Sequence, residues 1–100
     1  MIKEKTEEWP FDDPKNVAVF TVRSVWEKKR DILYVYHNSE DGAWQFHADK
    51  NPEEKDASII SLEEVVELDN SIKELADLPY DWRAWRKDKQ SPWIKEIDKN

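Results

Sequence analysis

The sequence predicts an α+β fold, a small antiparallel sheet with helices packed on one face. Three observations predict it. Residues 32–37 and 43–47 are short runs rich in aromatic and β-branched side chains, separated by a polar loop that carries the pair Asp41-Gly42, the signature of a hairpin. Residues 16–21 form an almost wholly apolar run, the pattern of a strand covered on both faces. Ser61-Leu62-Glu63-Glu64 is a capping box, which starts a helix by satisfying free amide groups at its first turn.

The remaining elements follow in order. Residues 1–8 are mostly charged, and residues 1–15 are expected to form a flexible N-terminal segment ahead of a single domain over residues 16–100. Trp9-Pro10-Phe11 reads as an extended stretch laid over the core edge, and Asp12-Asp13-Pro14 as a turn. Over residues 21–30 the spacing of Val22, Val25 and Trp26 favours a short helix, with Thr21 as its cap. Residues 48–56 are a polar loop, and residues 58–61 a short strand. Leu62, Val65 and Val66 form the inward stripe of the capped helix. Ser71-Ile72-Lys73-Glu74 repeats the capping box and opens a shorter helix that Leu78-Pro79 closes, because proline cannot continue it. Residues 81–86 are read as a last strand, which sends Trp82 and Trp85 to opposite faces, with a helical turn that puts both rings on one face as the alternative. Ser91-Pro92-Trp93-Ile94 reads as a cap, a proline at the first helical position and a short terminal helix.

Composition narrows the function. One hundred residues make one domain and one core. A charged fraction of 39% leans towards disorder, but six Trp among the aromatics argue for a folded core, since disordered chains are poor in rings. The net charge of -7 repels phosphates, so no nucleic-acid partner is expected. Solubility accounts for most of that acidity, and complementarity to a basic protein is its sharper use. No cysteine is present, which excludes disulfides, thiolate catalysis and cysteine-held metals. A single glycine excludes phosphate loops and dinucleotide fingerprints. The N-terminal residues lack an apolar signal region and no run reaches membrane-spanning length, so a cytoplasmic location and no membrane partner are expected.

One ordered series has a family likeness: residues 41–46 (Asp-Gly-Ala-Trp-Gln-Phe), residues 65–71 (Val-Val-Glu-Leu-Asp-Asn-Ser) and residues 75–86 (Leu-Ala-Asp-Leu-Pro-Tyr-Asp-Trp-Arg-Ala-Trp-Arg). It resembles a group of small uncharacterised bacterial proteins with an Asp-Gly-x-Trp-x-Phe segment, a Ser-Leu-x-Glu helix, an Asp-Pro-Ser turn and a Leu-Pro-x-Gly-Trp ending. It is similar, more distantly, to the bacterial family called domain of unknown function 2185, also described as a class of immunity proteins of polymorphic toxin systems. The likeness covers roughly residues 16–94. Asn70 stands where the pattern has Pro, and Asp81 where it has Gly. Both residue types tolerate turn or left-handed backbone. The resemblance implies a toxin-neutralising role without catalysis, and it carries no catalytic residues.

Two groups of side chains are candidate sites. Tyr80, Trp82, Arg83, Trp85 and Arg86 concentrate the residue types that dominate binding hot spots, and they are the expected contacts for a protein partner, a toxin in the leading reading. A homodimer through the same Trp-rich block is a third possibility. His37, Asp41, Trp44 and His47 form the alternative, a small-ligand or metal-binding, enzyme-like site on the hairpin loop. If His37 pairs with Trp44, Tyr34 faces His47 and the two histidines fall on opposite faces, where they cannot share one metal; a one-residue bulge would bring them to one face but would set Trp44 and Phe46 against the face of Tyr34 and Tyr36. Ser39 lies near His37 and Asp41, but the glycines of a nucleophile elbow are missing and turn chemistry accounts for the loop. The expectation is a non-enzymatic binding protein with no cofactor and no metal.

Overall fold

The alternation in Tyr34-Val35-Tyr36-His37 buries Val35 completely and leaves both tyrosines half-buried, as a strand with one covered face requires. That strand lies near the centre of a computed structural model that describes residues 9–40, 42–50 and 54–98. The elements are β1 (Ala18–Val22), α1 (Arg23–Trp26), β2 (Tyr34–His37), β3 (Trp44–His47), β4 (Ala57–Ser61), α2 (Leu62–Leu68), β5 (Trp82–Trp85) and β6 (Ile94–Ile97). Short 3-10 helices occupy Glu54–Asp56 and Asn70–Leu75.

The chain is a small domain with a six-stranded mixed sheet and few helices. Strand order is β4-β1-β3-β2-β5-β6. All pairs are antiparallel except β1 with β3, which run parallel with Phe20 opposite Gln45. The expected purely antiparallel sheet is therefore corrected. The hairpin itself pairs His37 with Trp44, Val35 with Phe46 and Tyr34 with His47.

Three local expectations give way to tertiary contacts. Thr21 is a buried strand residue and not a helix cap, because β1 runs on to Val22 and leaves α1 a single turn. Ser71 does not open a capping box. The Asp69 carboxylate accepts from the Ser71 amide at 3.0 Å instead, and a 3-10 helix follows. Residues 91–94 do not form a terminal helix. Ile94 pairs with Trp85 and Ile97 with Trp82, so the chain end becomes edge strand β6. The Ser61–Glu64 capping box is present in full.

The core gathers Val19, Val35, Trp44, Phe46 and Ala84 from the strands with Leu62, Val65, Ile72, Leu75 and Leu78 from the helical segments. Phe11 is buried and Trp9 packs beside it, their ring centroids 5.3 Å apart. Residues 1–8, within the segment expected to be flexible, lie outside the described residues. Gly42 and Asp81 adopt positive φ, 68° and 67°, the conformation their turn positions require.

Arg86 is 2% exposed, at the point where β5 ends. Its guanidinium donates to the Ile32 carbonyl through Nε (3.0 Å) and Nη2 (2.8 Å), to Asp69 Oδ2 at 2.5 Å and to Ser71 Oγ at 3.1 Å. The same group lies 4.1 Å from the Trp93 ring centroid. Replacing Arg86 by Ala leaves a buried carboxylate unpaired and should cost about 3–5 kcal/mol. Arg86→Lys should recover part of that loss, since a point charge cannot reproduce the planar fork. Urea unfolding of the two variants measures this, and equal midpoints for wild type and Arg86→Ala would contradict it.

Candidate functional site

The strand register divides the side chains between two faces. Directly paired residues share a face, and neighbours along a strand alternate. One face carries Val19, Val35, His37, Trp44, Phe46, Trp82 and Ala84, most of them in the core. The opposite face carries two rows across the sheet. One row runs Ile59, Phe20, Gln45, Tyr36, Arg83, Glu96, and the other runs Val22, His47, Tyr34, Trp85, Ile94. Phe20 is 38%, Ile94 43% and Ile59 64% exposed, so much of this second face meets solvent as apolar surface.

Near the β2–β5–β6 part of that face lies a hollow of about 240 Å³, lined by Tyr34, Tyr36, Trp85, Arg83, Glu96 and Lys50. Arg83 donates to Glu96 Oε2 from Nε at 2.8 Å and reaches Asp98 Oδ1 at 3.4 Å, so its charge is matched and its guanidinium is tied to β6 and the residue after it. The Tyr36 phenol is pushed up by burial and by the Asp98 carboxylate, which keeps it a neutral hydrogen-bond donor. Rings, an ion-paired Arg and a phenol therefore lie together at this hollow. Among the described residues no group of three metal-ligating side chains occurs.

The residues picked out in the sequence do not form one patch. Arg83 and Trp85 lie on the exposed face. Trp82, next to both, turns inward and packs against the core. Arg86 is interior, and so is no surface contact, because its donors are consumed by Ile32, Asp69 and Ser71. Tyr80 is exposed at the far end of β2, its ring 4.5 Å from His37. His37 stacks on Trp44 at 3.8 Å, and its Nδ1 donates to the Leu78 carbonyl at 2.8 Å. Trp44 is 2% exposed and donates its indole N–H to Asp13 Oδ2 at 2.7 Å, so most of its ring belongs to the core. His37, Trp44 and Tyr80 border an acidic hollow with Asp12, Asp13 and Asp77.

His47 is on the opposite face from His37, and it is buried with Nε2 3.0 Å from Gln45 Oε1. The hairpin set therefore does not converge. Asp41 lies outside the described residues. Tyr34, Tyr36 and Phe20 were not singled out by sequence reasoning. The signal for the tyrosines was present in the period-2 pattern around Val35, but which face stays open depends on where the chain places its helices.

Two buried groups set a pH dependence. Burial holds the His47 imidazole below its ordinary value, and its Nδ1 has no hydrogen-bond partner. Burial raises the Asp69 carboxyl, but hydrogen bonds from Ser71 and Arg86 outweigh it and leave the group lowered. In both cases the unfolded chain takes up its proton first as pH falls. Stability is thus full at neutral pH, declines once pH drops below about 6.5 for His47, and declines again below about 4 for Asp69. Unfolding midpoints between pH 8 and pH 3 should show this profile, and His47→Leu should flatten its upper limb. Among the described residues no helix is long and apolar enough to cross a membrane. No family model matches the chain, and no curated protein or solved structure matches it.

Proposed function

We propose that the chain is a non-enzymatic protein-binding domain whose helices cover one face of its sheet and whose opposite face docks a partner. The observation that carries this reading is the exposed face itself. Phe20, Tyr34, Tyr36, Arg83 and Trp85 come from three strands to one surface, and Tyr, Trp and Arg anchors of this kind supply most of the energy of protein interfaces. The rings lose little conformational entropy on docking because their strands already hold them. A net charge of -7 would speed the approach of a basic partner.

The more specific form is an immunity protein of the bacterial cytoplasm that neutralises a toxin by occlusion, in line with the resemblance over residues 16–94. The hairpin-loop alternative, a ligand or metal site at residues 37–47, has less support because its histidines occupy opposite faces.

The test is affinity capture from the native cell on the immobilised chain, followed by binding measurements with the captured protein. Trp85→Ala and Phe20→Ala should each weaken binding by about 2 kcal/mol, roughly 30-fold in Kd. Tyr80→Ala, at the other end of the domain, should leave Kd unchanged. Equal affinity for all three variants would refute the assignment of this face. Stoichiometric metal in the purified protein, lost in His37→Ala, would favour the alternative.

A further inference from the structure

The two edges of the sheet are built differently. Edge strand β6 is charged: Lys95 and Glu96 lie within it and Asp98 follows. Antiparallel pairing of β6 with its own copy about a two-fold axis normal to the sheet requires opposite residues to share a face. A register centred on Lys95 sets Lys95 against itself, and one centred on Glu96 sets Glu96 against itself. Centring on Ile97 opposes Glu96 to Asp98. Centring on Ile94 brings Pro92, which has no amide donor, into the ladder. Charges and proline of this kind are how sheets prevent edge-to-edge association.

Edge strand β4 has none of these guards. Its sequence is Ala57-Ser58-Ile59-Ile60-Ser61, without charge or proline. Its rim is apolar on both sides. Ile59 and Phe20 are exposed on one face, while Trp26, 43% exposed, donates its indole N–H to Ser58 Oγ at 2.9 Å. The Leu62 amide donates to the Val17 carbonyl at 3.0 Å, in register with the β1–β4 pairs. By the alternation of an antiparallel ladder, Ile60 and Ser58 then direct their peptide groups at β1, and Ala57, Ile59 and Ser61 direct theirs outward. Of these, the Ser61 amide is occupied by Glu64 Oε1 at 2.9 Å. Among the described residues the turn, loop and cap hydrogen bonds do not use the Ala57 or Ile59 backbone groups.

We infer that β4 pairs antiparallel with β4 of a second copy, about a two-fold axis through Ile59. In that register Ile59 exchanges reciprocal N–H···O bonds with its counterpart. The Ala57 amide donates to the Ser61 carbonyl of the other copy, an oxygen that as the N-cap of α2 also accepts the first helical amide, so this outer bond uses its second lone pair and is the weaker of the ladder. Ser58 lies opposite Ile60 and Ala57 opposite Ser61, so no like charges meet within the strand pair. The Phe20 and Ile59 side chains of the two copies become contiguous across the axis. The strand is long enough for this ladder and no longer, because α2 begins at Leu62. Each copy carries -7, so mutual repulsion opposes the association and salt strengthens it by screening. A charge-steered heterologous complex responds to salt in the opposite sense.

Sedimentation equilibrium of the full chain over a range of concentrations and salt tests the inference. The wild type should reach the mass of two chains at sub-millimolar concentration, with Kd falling as salt rises. Ile59→Lys places two ammonium groups on the axis and should raise Kd at least about tenfold, while its thermal unfolding midpoint as a monomer stays close to wild type because Ile59 is largely exposed. Independently of any variant, the Ile59 and Ala57 amides should exchange hydrogen more slowly in concentrated than in dilute wild-type samples. A monomeric mass at all concentrations overturns the inference. So does a dimer that survives Ile59→Lys, or one in which those two amides gain no protection.

Discussion

The Arg86 guanidinium is the constraint on which the arrangement of the helical segments of this domain depends. It joins the end of β5 to the carbonyl of Ile32, just before β2, to Asp69 at the end of α2, to Ser71 in the following 3-10 helix and to the face of Trp93 before β6. A buried cation tolerates few alternative arrangements, because any partner it loses leaves an uncompensated charge or carbonyl away from water. The fork geometry also selects Arg: Nε and Nη2 together grip one carbonyl oxygen while Nη1 and Nη2 reach the hydroxyl and the carboxylate. With α2 and its 3-10 extension held there, Leu62, Val65, Ile72 and Leu75 are held in the core beside Val19, Val35 and Phe46.

That arrangement makes the two faces of the sheet unequal. The face bearing Trp44 and Phe46 is buried within a dense cluster of rings, with Phe11 edge-on to Trp44 at 5.5 Å and His37 stacked on it. The other face keeps Phe20, Ile59 and Ile94 in solvent and leaves Tyr34, Tyr36 and Trp85 half covered. A small domain has limited apolar surface to spend on its own core. Leaving two rows of strand side chains partly uncovered costs solubility, which the acidic remainder of the surface offsets. The proposed binding face and the unguarded β4 edge belong to the same side of the molecule, and this joins the two proposals physically: strand addition at Ile59 would extend the very surface that carries Phe20.

What the residues determined by themselves was local or periodic. The Ser61–Glu64 box, the pairing of residues 32–37 with 43–47 and the turn residues Gly42 and Asp81 each follow from side-chain chemistry within a few positions, and each is present; the pattern left open a bulge in the hairpin and a helical turn at residues 81–86, and strand pairing on both sides of β2 decides against both. What only the tertiary structure decided depended on partners distant in sequence. Ser91-Pro92 is a sound helix start locally, but pairing of Ile94–Ile97 with β5 satisfies more backbone groups than one isolated turn could. The parallel β1–β3 contact joins segments with no local signal between them. Arg86 has the composition of a surface hot spot, and it is interior because Ile32 and Asp69 lie where its donors end. Periodicity states which residues share a face. Burial of one face and exposure of the other is settled by where the rest of the chain packs, and the candidate binding surface of this protein is a property of that packing.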